Sequence, residues 1–163
     1  TLSHPLDYLR WLFGEVDALW AFTGALSDLQ INVEDTAEIG LKFQSNMIGS
    51  LHLDYNGQPS AHHLEVLGTH GTLRWDNHTG SVSWFGKGSQ AGEMPMAGAD
   101  GWHNAPPPSG FERNDLFMAE IRHFLAVCRG EEQPVCTLED GIMALKLSLA
   151  ILKAASSGQV SKI

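Results

Sequence analysis

Residues 36–55 read TAEIGLKFQSNMIGSLHLDY, and the period of that stretch decides the fold. Ala37, Ile39, Leu41 and Phe43 alternate with Thr36, Glu38, Gly40 and Lys42. Successive side chains of a strand point to opposite faces, so strict alternation describes a half-buried strand. The residues QSNM turn the chain. Met47, Gly49, Leu51, Leu53 and Tyr55 then alternate with Ile48, Ser50, His52 and Asp54, which gives a second strand and a hairpin. One apolar and one polar face is the pattern of an antiparallel sheet with a wet side.

Upstream, SHPLDYLRWLFG has the period of a helix. Leu2, Leu6, Leu9 and Phe13 recur at helical spacing, Pro5 suits a first turn, Ser3 or His4 can cap it, and Gly14 stops it. VDALWAF then reads as a strand. Downstream, HHLEVLG and GTLRWD flank Thr69-His70, and DNHTG leads into SVSWF, giving three more short strands. Residues 86–112 are rich in Gly, Pro, Ala and Met and read as one long loop, a length that compact domains keep for function or assembly. RNDLFMAEIRHFLAVCRG is helical, with Leu116, Glu120, Ile121, Phe124, Leu125 and Cys128 at helical spacing, Asn114 as a cap and Gly130 as its end. In the last helix Thr137 and Asp140 match a capping box, Ile142, Leu145, Leu149 and Leu152 form the expected buried stripe, and Gly158 is the stop. QVSKI can return as a final strand. The order predicts one α+β domain over 1–163: an open, mostly antiparallel sheet with helices packed on one face. Ile39, Leu41, Leu51, Leu53, Leu64, Val66, Leu73 and Trp75 supply the inner face. Glu38, Lys42, Ile48, Ser50, His52, Asp54, Glu65, Leu67 and Arg74 supply the outer one, a mixture suited to a two-fold interface that His52 would weaken as pH falls toward 6.

The chain has 163 residues, 43% hydrophobic and 18% charged, which is the composition of a globular domain. Ten Lys and Arg are scattered in a net charge of −9, so no basic stripe tracks phosphates and nucleic acid is not an expected partner. No apolar run has the length of a membrane span, and no membrane partner is expected. Cys128 and Cys136 lack zinc or disulfide spacing, which favours a reducing, cytoplasmic setting. The start has no initiator Met and no signal-peptide pattern; it reads as a cut edge with something upstream missing. WFGKGSQAG lacks the register of a dinucleotide loop, and no complete active site is legible. His62 and His63 alternate to opposite faces, so no metal site is expected. His4 stands at a helix N-terminus, where the macrodipole favours a neutral ring able to move a proton near pH 7; capping is the plainer role.

SHPLDYLRWLFGEV, EDTAEIGLKF, HLEVLGTHGTLRWD, AEIRHFLAVCRGEEQPVCTLEDGIMALKLSLAI and SSGQVSKI, in that order, resemble the C-terminal domain of the Gfo/Idh/MocA oxidoreductases, the glucose–fructose oxidoreductase and inositol dehydrogenase family. The resemblance covers nearly all of the chain except about residues 86–108. It implies a glyceraldehyde-3-phosphate-dehydrogenase-like C-terminal fold, with a Rossmann domain and its catalytic lysine outside this chain. NAD or NADP would be held by the full-length parent and none by this fragment, which would be inactive alone. His4 matches the family's histidine beside the reacting carbon, and Asp7 the acidic residue three places on. Leu2 stands where many members have Gly, and Gln58 where relatives acting on amino-sugar or surface-polysaccharide precursors often carry Arg. Tyr55, Gln58, Trp102 and His103 are the further substrate-binding candidates, Trp102 and His103 because they can stack on and hydrogen-bond to a sugar. The implied substrate is a sugar or amino sugar, and the implied assembly a homodimer or homotetramer through the open sheet face. The rival reading is a stand-alone binding or assembly domain in which His4 only caps a helix.

Overall fold

A computed structural model describes residues 3–86 and 101–163. Among these residues the element order is α1 (Ser3–Phe13), β1 (Val16–Gly24), β2 (Thr36–Phe43), β3 (Ile48–Asp54), β4 (His63–Gly68), β5 (Gly71–Asp76), β6 (Ser81–Gly86), β7 (Gly101–Ala105), α2 (Arg113–Cys128), α3 (Leu138–Ser157) and β8 (Ser161–Lys162). The strands form two open antiparallel sheets of four, ordered β3-β2-β1-β8 and β4-β5-β6-β7, so the class is α+β. The chain divides into two compact units, Thr1–Asn56 with Ala126–Ile163, and Gly57–Leu125. No helix among the described residues is long and apolar enough to cross a membrane.

In the first unit the alternation of residues 36–55 is realised as the β2–β3 hairpin, with Ile39 opposite Leu51 and Glu38 opposite His52. Asn46 takes the left-handed conformation at the turn (φ +65°), a region that a short polar side chain tolerates. Leu19, Ile39, Leu41 and Phe43 are buried on the inner face. α3 packs on β1 and α1 on α3, and Leu6, Leu147 and Ile151 have no exposed surface. Each such side chain removed from water contributes about 1.5–3 kcal/mol. The outer face shows Trp20, Phe22 and Ile48 to solvent. Trp20 lies across Gly40, its partner in register; a Cβ there would stand 1.9 Å from the indole Nε1, so glycine is what lets the ring lie flat.

Asp35 organises the long β1–β2 connection. Its buried carboxylate accepts from the Leu26 and Ser27 amides (2.9 Å each) and from the hydroxyls of Ser27 (2.6 Å) and Thr36 (2.9 Å). Those bonds, led by the Leu26 amide, hold its pKa far below the usual carboxylate range.

Thr137 and Asp140 form the expected capping box, and Gly158 ends α3 in the left-handed region (φ +66°). β8 pairs with β1 at Ala18 and Leu19 as the final strand. Four expectations are corrected. The buried stripe of α3 is Ala144, Leu147, Ile151 and Ala154, while Ile142, Leu145, Leu149 and Leu152 are exposed. α3 carries two apolar stripes, and the buried one has alanines at its ends, which permit a close approach of the backbone. No side chain of α2 is buried: Leu116, Phe117, Ile121, Phe124 and Leu125 of the expected stripe and its flank are exposed. Ser3, His4 and Asn114 lie inside their helices and do not cap them; at α2 the Asp115 carboxylate accepts from the Glu112 amide at 2.9 Å. The 86–112 segment contains β7, and residues 87–100 of its expected loop lie outside the described residues, as does Leu2.

In the second unit the register sets Leu73 opposite Trp84, and Trp84 opposite His103. The other face carries Arg74, ion-paired with Glu65 and stacked over Trp102 at 4.3 Å.

Candidate functional site

The polar corner of the first unit lies where α1 meets the capped N-terminus of α3. His4 is exposed in the first turn of α1, and its ring stands edge-on to Tyr8 with centroids 5.9 Å apart. Burial pushes the Tyr8 phenol up. Asp7 follows one turn after His4 and is half-buried.

Arg10 lies behind Asp7. It falls one turn after the buried Leu6, so helical geometry carries it inward rather than to solvent. Its Nε and Nη2 donate to the two oxygens of Glu15 at 3.0 and 2.6 Å, a fork that matches carboxylate geometry. Nη1 donates to the Asp140 carbonyl at 3.4 Å, and Nη2 stands 3.5 Å from the Asp140 carboxylate. The Asp7 carboxylate is 3.9 Å from Nη1. The bond from Arg10 holds the Glu15 carboxyl below its ordinary range, and the same pair pushes the Arg10 guanidinium up. Asp140 is also held low, first by the Thr137 amide and then by the Thr137 hydroxyl. Cys136, exposed just ahead of the cap, has its thiol pushed up by desolvation and by the charges of Asp7 and Asp140, so it stays protonated.

The structure brings His4 and Asp7 onto one exposed side of α1. Tyr55 ends the first unit's hairpin, exposed, with its amide donating to the Asp35 carbonyl at 3.0 Å. Gln58 is exposed at the start of the second unit. Trp102 and His103 are neighbours on β7 that point to opposite faces: Trp102 lies against Phe85 and Arg74, and His103 stacks on Trp84 at 5.5 Å. The buried Nε2 of His103 has no hydrogen-bond partner among the described residues. No group of three or more His, Cys, Asp or Glu among them has the geometry to hold a metal ion. They also contain no strand–glycine-loop–helix unit of the dinucleotide-binding kind. Sequence reading missed Arg10 and Asp35. The available signal for Arg10 was its place on the apolar stripe of α1, with Glu15 just past the glycine stop.

Comparison with known proteins extends the geometry. The family described as "Oxidoreductase family, C-terminal alpha/beta domain", of the Gfo/Idh/MocA group, matches residues 1–163. A 1,5-anhydro-D-fructose reductase of Ensifer adhaerens is 27% identical over 161 residues, 98% of this chain and 45% of that protein. Levoglucosan dehydrogenase in complex with NADH superposes with a TM-score of 0.83 at 17% identity, covering 99% of this chain and 48% of that one. The WlbA dehydrogenase of Bordetella pertussis, in complex with NADH and UDP-GlcNAcA, does so with a TM-score of 0.68 at 24% identity, covering 99% and 43%. The chain thus spans about half the length of the proteins it matches.

Proposed function

The chain belongs to the Gfo/Idh/MocA oxidoreductases as their C-terminal α/β domain, and on that premise we propose that it is the substrate-binding and oligomerisation domain of an NAD(P)-dependent oxidoreductase acting on a sugar or sugar derivative. The observation that carries the reading is the α1 corner, where an imidazole and a carboxylate one turn apart face outward over a braced arginine. The relatives' named ligands, a levoglucosan dehydrogenase with NADH and a WlbA dehydrogenase with NADH and UDP-GlcNAcA, support the substrate class.

A nicotinamide bound by the rest of the protein supplies the hydride chemistry. This chain's task is the proton and the pose. A ring nitrogen of His4 takes the proton of the reacting hydroxyl in oxidation and returns it in reduction. Asp7 accepts hydrogen bonds from neighbouring hydroxyls and fixes the sugar's orientation. The outer face of the first sheet, with Trp20, Phe22 and Ile48 among Glu38, Lys42 and His52, pairs with a second copy.

Full-length protein assayed with NAD(H) and NADP(H) against 1,5-anhydro-D-fructose, levoglucosan and UDP-GlcNAcA tests the reading. Turnover of a sugar-type probe is expected. No turnover of any of them, or micromolar nicotinamide binding by residues 1–163 alone, would contradict it. Light scattering of the chain at micromolar concentration should give a dimeric or larger mass; a monomer would remove the role of the sheet face.

A further inference from the structure

Three carboxylates surround one guanidinium at the α1 corner, and they are not equivalent. The Arg10 side chain is 8% exposed, whereas those of Asp7, Asp140 and Glu15 are 40%, 36% and 43% exposed, so the arginine is the buried hub and the acids its rim. Both oxygens of Glu15 are taken up by the fork from Nε and Nη2. The Oδ2 of Asp140 is taken up by its own helix cap, accepting from the Thr137 amide at 2.9 Å and the Thr137 hydroxyl at 2.7 Å. Asp7 differs. At 3.9 Å it is held by charge but not by a hydrogen bond, and no other group among the described residues donates to it. Its two oxygens keep their acceptor capacity for a ligand, and the guanidinium stands behind it.

We propose that Arg10 is the positioning residue of this corner: it holds the Asp7 carboxylate in place to accept hydroxyl hydrogen bonds from a polyol substrate, and it fixes the roll of α1 against the capped end of α3. This rests on the reading of the corner as the substrate site. Because Arg10 acts through Asp7, its loss weakens substrate binding more than the chemical step. A hydrogen bond to a charged acceptor is worth enough that its loss raises KM about tenfold or more. Lysine keeps the charge but loses the fork, so it restores the effect only in part.

The test uses the full-length protein with two probe pairs, 1,5-anhydro-D-fructose with NADPH and levoglucosan with NAD+. Arg10→Gln should raise KM about tenfold or more with kcat within about threefold of wild type, and Arg10→Lys should fall between. Asp7→Asn should raise KM similarly. The Arg10→Gln/Asp7→Asn double variant should be no worse than the worse single one, since both remove one interaction. A purely structural arginine would lower the melting temperature with additive KM effects. An unmoved KM in Arg10→Lys and in whichever of the other variants folds, or additivity in the double variant, overturns the proposal. His4→Ala separates the layers: if it lowers kcat while the Arg10 variants leave KM unmoved, only the Arg10 inference fails. If His4→Ala keeps full kcat, or neither probe pair is turned over, the substrate-site reading fails and the inference with it.

Discussion

Arg10 and His52 each sit among carboxylates, one beneath the junction of α1 and α3, the other on the open face of the first sheet. Arg10 meets Glu15, Asp140 and Asp7 with little of its side chain exposed. His52 meets Glu38 through Nδ1 at 2.6 Å and Asp54 through Nε2 at 3.0 Å, with half of its side chain in solvent. Both ring nitrogens face acceptors, so only the doubly protonated ring satisfies both. The Glu38 bond is the first cause that raises the His52 pKa, with Asp54 second. Partner number is similar in the two clusters; burial is not. A buried cation among acids fixes backbone elements relative to each other, whereas an exposed one is screened by water and titrates.

If the corner is the fixed region, the layer beneath it should be the least tolerant of change. Ile151 has no exposed surface, whereas Leu149 on the other stripe of α3 is 58% exposed. Ile151→Ala should cost about 2–5 kcal/mol in urea unfolding, and Leu149→Ala less than about 1 kcal/mol. Equal losses would break the assignment of the stripes. The cap comes next. Thr137→Ala removes the acceptor of the Asp140 amide and should cost about 1 kcal/mol by thermal unfolding. An unchanged midpoint would show that the capping box does not brace the corner.

The exposed cluster should show the smallest effect. Because the folded pKa of His52 is raised, its contribution is fully present below the ordinary value near 6.5 and is lost as pH rises through the raised folded value. Relative to His52→Gln, wild type should lose roughly one or two degrees of melting temperature between pH 5.5 and 8.5. A difference that grows as pH falls would invert the sign. The same shift moves the window in which His52 could affect self-association: the ring already carries its charge near pH 6, where the unperturbed sequence expectation had placed the change.

The parts of the fold set by local period were legible in the sequence. Residues 36–55 alternate, and they form the hairpin in the expected register of faces. Thr137, Asp140 and Gly158 act through their own backbone neighbours, so α3 begins and ends where their types require. The partner of a stripe was not legible. Leu145 and Leu149 have the same period as Leu147 and Ile151, and only the packing of α3 on β1 decides between them. β7 was hidden because five residues, Gly101–Ala105, are too few to show a period inside a glycine- and proline-rich segment. His4 and Asp7 could be named as candidates; for Arg10 the sequence offered only its place on the apolar stripe of α1 near Glu15, and its contact with Asp140, 130 positions away in the chain, was not legible.

The central claim is that the α1 corner moves the substrate's proton. On the proposed reading, His4→Ala in the full-length protein should lower kcat by about 10²–10⁴-fold, with the NADH dissociation constant unchanged. A kcat within threefold of wild type in a normally folded His4→Ala protein would contradict it.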